Sequence, residues 1–463
     1  MSLRRPARHA FAALLTGSVA AQAIAYAARP VLARLFLPEA FGLAATFGAL
    51  AAVLSIPASG RYEEAALLPA DEGEAATLLR LSAVLAGLFA AALALAWPLR
   101  HAAAAALGNA ALAPLLGLLP VAVLAAAWGR TGENALLRMG AFGAVARRRT
   151  AAAAGAAALQ TTAAGRGGFG LAAAQTAAQA LALVLYAPAL PLLRRGLRGA
   201  VRPLARRYTS FPLAAVPNGM FNTVAALLPV FTLGKMLGAA PVGLYSQAAG
   251  LLAAPVGVVA GAAGQAYVVH ASGYRRAGTL APESETLFAR LLGAGLVPLL
   301  GLTLCAPDVF AVVLGPAWRE AGAFAQWLAP WQLGVLASSP LSRLFDVLQR
   351  QGAELLFNAV MFAARLGALL VGGAAAGAPG AVAAFGTVSA IFWIVHTVWV
   401  LRLAGVPARR TAFLAADALW RGLPLLAVLA LACWWLPPLG TTVAFGIACT
   451  VHAYRLARTY RLP

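Results

Sequence analysis

Apolar runs of about 20 residues, parted by short gaps of Arg, Gly and Pro, recur from one end of the chain to the other. They fall near residues 10–33, 40–59, 78–99, 108–129, 147–165, 168–192, 209–237, 242–270, 285–306, 321–345, 354–374, 378–402, 415–436 and 439–456. A run of that length, rising ~1.5 Å per residue, covers the ~30 Å hydrocarbon core of a bilayer, so each predicts a membrane-spanning helix. The expectation is an all-α polytopic membrane protein with fourteen such helices. The weakest run, 147–165, is rich in Ala and carries Gln160, Thr161 and Thr162, which suit a protein interior better than lipid. Pro437-Pro438-Leu439-Gly440 between the last two runs predicts a tight hairpin.

Composition strengthens this picture. Of 463 residues, 62% are hydrophobic and 11% charged, which excludes a soluble globular domain. No gap between runs has room for a catalytic domain of ~50 residues or more. The formal charge is +21, from 35 basic against 14 acidic residues. In a soluble chain that excess would suggest nucleic acid, but here the arginines occupy gaps between apolar runs, so no nucleic-acid partner is expected. They collect in alternate gaps: Arg4, Arg5 and Arg8; Arg130, Arg138 and Arg147 to Arg149; Arg194 to Arg207; Arg275 and Arg276; Arg402, Arg409 and Arg410; Arg455, Arg458 and Arg461. The positive-inside bias then places both termini in the cytoplasm. An Ala25-Tyr26-Ala27 site would fit signal cleavage, yet the run continues into Arg29-Pro30, favouring a retained first span.

The basic stretch also divides the chain, into a six-helix lobe at 1–192, a basic cytoplasmic linker at 193–208, a second six-helix lobe at 209–402 and two additional helices at 403–463. A faint repeat agrees with this division. Arg34 precedes Gly42-Leu43 by eight residues and Lys235 precedes Gly243-Leu244 by eight, an offset of 201 in both cases. Internal repeats of this kind mark transporters.

Motifs for covalent or nucleotide chemistry are missing. Gly165, Gly167 and Gly170 fit GxGxxG but lie in a turn between apolar helices rather than after a strand, so they read as a hairpin. There is no GxxxxGK[ST], HExxH or GxSxG pattern. Cys305, Cys433 and Cys449 have no metal-ligand spacing, and the five histidines are scattered, so no metal or cofactor is expected.

What remains is the depth of the charges. Arg365 stands at the middle of the run 355–373, where a bare charge costs about 2.5–3.5 kcal/mol on insertion scales, so it is a functional-site candidate. Two readings stand: an ion pair with Asp346, or a wet cavity in which its fork binds phosphate oxygens. Arg29 lies four residues from the end of its span and reads equally as a snorkelling anchor or a substrate contact. Arg343, Asp346, Arg350 and Glu354, at helical spacing, read as an ion network. Pro57, Pro120, Pro217, Pro229, Pro255, Pro298 and Pro340 are expected to kink or interrupt spans. Glu63 belongs with the acids of the turns.

Several segments together resemble one family. Pro30-x3-Arg34-Leu35-Phe36-x-Pro38-Glu39-x-Phe41-Gly42 is similar to its opening outer turn, and Arg61-Tyr62-Glu63-x-Ala65 with Leu68-Pro69 to its first inner loop. Phe211-Pro212, Gly243-Leu244-Tyr245, Pro255 and Gly264-Gln265 follow its second half. Phe310-x2-Val313-Leu314-Gly315-x2-Trp318-x2-Ala321-Gly322 resembles a further outer loop, and Arg350-Gln351 with Asn358 and Arg365 a later segment. On these residues the chain resembles the bacterial O-antigen and exopolysaccharide flippases, in the superfamily that also holds lipid II flippases and multidrug and toxin extrusion antiporters.

The resemblance implies two lobes working by alternating access, in the bacterial inner membrane, on a polyprenyl-diphosphate-linked oligosaccharide moved from the cytoplasmic to the periplasmic leaflet. It implies a transporter and no enzyme, with membrane lipids around it and a glycan polymerase and glycosyltransferases as pathway partners. The substrate-binding candidates are Arg365, then Arg61, Arg29 and Arg34. A drug antiporter of the same fold would bury carboxylates in its lobes. A membrane polysaccharide polymerase or ligase would carry a long catalytic outer loop, and none is present.

Overall fold

The computed structural model describes residues 4–189, 191–192, 201–348 and 350–460. The described residues are helical almost throughout, with no strand among them. In chain order the long helices are α1 (Arg4–Leu35), α2 (Pro38–Ala58), α3 (Glu72–Leu95), α4 (Leu119–Arg138), α5 (Phe142–Thr162) and α6 (Gly167–Leu181). Then come α7 (Val216–Leu237), α8 (Ala239–Ala277), α9 (Leu280–Leu314) and α10 (Arg319–Ser338). One long helical stretch, Gln351–Leu403, is interrupted at Ala376 and Gly377, giving α11 (351–375) and α12 (378–403). The chain ends with α13 (Ala408–Trp435) and α14 (Pro438–Tyr460).

Each of the fourteen predicted runs thus meets one of these helices. Among the described residues, eight helical stretches are apolar enough over 18 residues to cross a membrane, α11 and α12 counting together as one of them, and a bent pair, Ala110–Leu116 with Leu119–Arg138, makes a ninth. That pair turns by 54° just before Pro120, whose missing N–H is harmless in a first helical turn. Side chains such as Leu95, Trp434 and Trp420 are more than 70% exposed. Apolar surface on that scale has lipid as its solvent.

One stretch departs from expectation. The fourth run was expected to end near 129, with Arg130 and Arg138 in an inner gap, but α4 continues to Arg138 and carries Arg130 within the helix. The polar residues Arg130, Thr131 and Glu133 lower the hydropathy without interrupting the helix. Of the prolines, Pro217 sits like Pro120 in a first turn and Pro340 in a short 3-10 segment, while Pro57, Pro229, Pro255 and Pro298 lie inside helices. Residues 193–200 of the basic linker lie outside the described residues, and 201–207 form a short helix.

The chain divides into two compact units, Met1–Gly243 and Leu244–Pro463. In the first, α1 packs on α5 so closely that a Cβ on Gly17 would overlap Ala146. Arg149 ties this pair to α4, donating to Ser18 Oγ at 2.6 Å and forming an ion pair with Glu133. Leu32, Phe36, Ala163, Leu171 and Ala174 fill the space between α1, α2, α5 and α6. The faint repeat also has a physical meaning here. A Cβ on Gly42 would strike the carbonyl of Ala239, and one on Gly243 the carbonyl of Pro38, so residues 201 apart meet backbone to backbone in a two-fold-like crossing. Only glycine allows that approach.

In the second unit, α9 is the hub. Gly322 of α10 presses on Ala306 and Pro307, and α13 and α14 close over Leu296, Val297 and Leu300 through Leu425, Leu429, Phe445 and Ala448. His452 Nε2 lies 2.7 Å from the Gly293 carbonyl, and Arg410 pairs with Glu285 at 3.0 Å. The two additional helices are therefore a buttress for α9. Helices α11 and α12 form an antiparallel hairpin: Gly372 abuts Gly380, Arg365 bonds Ser389, and the Phe357 ring lies 5.7 Å from His396. Gly377, at φ 60°, supplies the left-handed residue that the turn requires.

Candidate functional site

Each unit holds a cavity with an arginine in its wall. In the second unit the cavity measures about 600 Å³ and lies among α8, α10, α11 and α12. Its α8 wall includes Gly257, Ala260, Gly261 and Gly264, small residues that leave volume open, with Val256 and Gln265 beside them. Facing them are Trp331 and Gln332 of α10, Arg343, Arg365 of α11 and Trp393 of α12. No carboxylate is among the described residues of the lining.

Arg365 of α11 lines this wall and is held by the hairpin. Its Nε donates to Ser389 Oγ at 2.9 Å, and its guanidinium carbon lies 5.1 Å from the Trp331 ring and 5.5 Å from that of Phe385. Cation–π contact with two rings offsets part of the cost of desolvation. The Nη2 group remains buried with no hydrogen-bond partner among the described residues, and so do the indole Nε1 groups of Trp331 and Trp393. All three are donors on residues lining one cavity. A buried, unmatched donor costs about 1–3 kcal/mol, so the arrangement favours a ligand rich in acceptors. The side chain of Asp346, the alternative partner, lies outside the described residues.

In the first unit the cavity measures about 550 Å³ and is lined from α2, α4, α5, α6 and α7 by Phe47, Ser55, Arg130, Gln160, Gln175 and Gln179, among others. Here the arginine is matched. Arg130 Nε lies 3.3 Å from Glu63 Oε1, its Nη1 donates to Ser55 Oγ at 3.1 Å, and its Nη2 donates to the Ser55 carbonyl. Glu63 is fully buried, contrary to its reading as a turn acid, and accepts further bonds from Ser59 Oγ at 3.0 Å and Ser82 Oγ at 3.1 Å. The turn that carries it folds inward because Tyr62 and Ala65 are buried with it.

Arg29, Arg34 and Arg61 line neither cavity. Arg61 adopts φ 55°, pairs with Glu64 at 2.7 Å and donates to the Ala215 carbonyl at 3.0 Å, so close to Gly219 that a Cβ there would touch it. The Arg29 guanidinium lies 5.2 Å from the Tyr26 ring, and Arg34 is exposed at the end of α1. Sequence reasoning did not single out Trp331, Trp393 and Ser389. Tryptophan away from the ends of apolar runs was the available signal, since membrane tryptophans otherwise gather at the interfaces.

Known proteins match at two levels. In fold, the chain is similar to the lipid II flippase MurJ in its inward closed conformation, with TM-score 0.70 and 11% identity over 97% of this chain and 98% of that one. It is also similar to an inward-facing multidrug resistance MATE family transporter of the MOP superfamily, with TM-score 0.55 and 14% identity over 84% and 95%. The MATE transporter VcmN of Vibrio cholerae in its bent form gives TM-score 0.53 and 14% identity over 87% and 97%. Among curated proteins, none matches the sequence. At the level of family, residues 31–323 match the profile described as polysaccharide biosynthesis protein. The chain therefore shares the fold of these structures and belongs to the polysaccharide biosynthesis protein family.

Proposed function

We propose that the protein flips a polyprenyl-diphosphate-linked oligosaccharide from the cytoplasmic to the periplasmic leaflet of the bacterial inner membrane, by alternating access, in O-antigen or exopolysaccharide synthesis. One observation carries this reading: Arg365, Trp331 and Trp393, which line the cavity of the second unit, carry donors with no partner among the described residues, and no carboxylate is among the described residues of that lining. A diphosphate is acceptor-rich and anionic, and a planar guanidinium meets its oxygens two at a time. The family and the likeness to a lipid II flippase support a lipid-linked cargo.

The drug-antiporter reading gains from buried Glu63, yet Arg130 already neutralises that carboxylate. In liposomes containing the purified chain, a fluorescent undecaprenyl-diphosphoryl glycan should cross without nucleotide and be inhibited by inorganic pyrophosphate. Efflux of organic cations with no glycan movement would overturn the proposal.

A further inference from the structure

The cavity of the first unit differs from that around Arg365 in the kind of group that it offers. Gln160 of α5 and Gln175 and Gln179 of α6 line it, with Ser55, Thr176 and Thr223. Each glutamine amide carries two donors and one acceptor, so the lining is matched to groups that both give and receive hydrogen bonds. The one charged residue in its described lining, Arg130, is held by Glu63 and Ser55. Gln175 and Gln179 stand four residues apart and so share a helix face, where side chains at that spacing are neighbours. The apolar part of the wall is Phe47, Ile56 and Leu171. A lining that combines amides and hydroxyls with apolar groups suits a sugar, whose hydroxyls are amphoteric and whose C–H faces are apolar.

A structural role explains only part of this. Gln160 Nε2 donates to Gln175 Oε1 at 3.3 Å, a bond that links α5 to α6 as polar residues do between membrane helices. Gln179 stands outside that bond and still faces the same space, which at about 550 Å³ falls within the roughly 300–1,000 Å³ of small-molecule sites. We infer that the first-unit cavity is a glycan subsite, in which Gln160, Gln175 and Gln179 hold uncharged sugar hydroxyls of the lipid-linked cargo. The inference rests on the flippase reading and adds which residues read the sugar as distinct from the diphosphate.

The test uses the full chain carrying Gln175→Leu and Gln179→Leu together. Two readouts are taken: surface glycan in the native host lacking the chromosomal copy, and binding of sugar-free undecaprenyl diphosphate to the purified protein in nanodiscs. The expected result is a fall of about tenfold or more in glycan export, at normal protein level, with sugar-free carrier binding within about twofold of wild type. Export within twofold of wild type overturns the subsite, and so does an equal loss of carrier binding. If the double variant is poorly produced, Gln179→Leu alone decides: a fall of about threefold or more supports the subsite and unchanged export overturns it. Failure of the wild-type protein to bind the sugar-free carrier or to restore glycan would instead overturn the flippase reading itself.

Discussion

The two cavities each place a guanidinium in a wall of apolar helices and treat it in opposite ways. Arg130 meets a fully buried carboxylate and two acceptors of Ser55, whereas Arg365 meets one hydroxyl and two aromatic rings. Burial of charge is tolerated when paired and costly when it is not. The first arrangement therefore completes itself within the protein. The second retains donor capacity beside Trp331 and Trp393, which a visiting anion would use. The same residue type in a similar setting thus acts as a brace in one unit and as a candidate receptor in the other.

The largest expected effect follows from removing the unmatched cation. Arg365→Ala should lower glycan export by about 100-fold or more, the loss of a bidentate fork of charge-assisted bonds, while protein level in the membrane stays normal. Arg365→Lys should keep partial export, because charge survives and the fork does not. A drop in protein level that Asp346→Ala restores would instead favour the ion-pair reading and erase the contrast between the units.

Next in size is the brace. Glu63→Leu should strand the Arg130 guanidinium and destabilise the protein, toward the lower end of about 3–5 kcal/mol because Ser55 still accepts from it. Thermal unfolding in detergent measures this. Adding Arg130→Met should recover most of the loss, since an apolar pair of similar volume can replace a buried ion pair. Unchanged stability with lost export would mean that Glu63 and Arg130 serve transport directly.

The helices were largely legible in the sequence because a membrane span leaves an unmistakable length of apolar residues. The break at Gly377 was legible too, as a short gap between two runs. Arg365 stood out for the same reason, a charge where none belongs. Its setting did not: Ser389 and Phe385 come from the other arm of the hairpin and Trp331 from another helix, and single-sequence periodicity says nothing about which faces meet. Glu63 was misread because a turn usually lies at the surface, and what turns this one inward is packing of Tyr62 and Ala65 against α3 and α4.

A smaller effect sharpens the acceptor argument. Trp331→Phe keeps an aromatic face against Arg365, Trp393→Phe keeps an aromatic ring in the cavity wall, and each deletes one indole N–H. Each should weaken pyrophosphate binding by about tenfold, the worth of one hydrogen bond to an anion at the modest end. Isothermal titration in detergent would show it. Equal affinity in both variants would leave Arg365 as the sole ligand and weaken the case for a donor cluster.

The smallest effect concerns Arg61, which tests whether the matched arginines of the first unit form a general pattern. Its ion pair with Glu64 is half exposed, and pairs of that kind contribute about 0–1 kcal/mol. Its φ of 55° belongs to the left-handed region, where glycine sits without strain. Arg61→Gly therefore loses the pair and the bond to the Ala215 carbonyl but gains backbone relief, and the two nearly cancel. Stability should change by about 1 kcal/mol or less and export by no more than about twofold. A tenfold loss of export at unchanged stability would instead make Arg61 a substrate contact, and the division between matched arginines in one unit and an unmatched one in the other would fall.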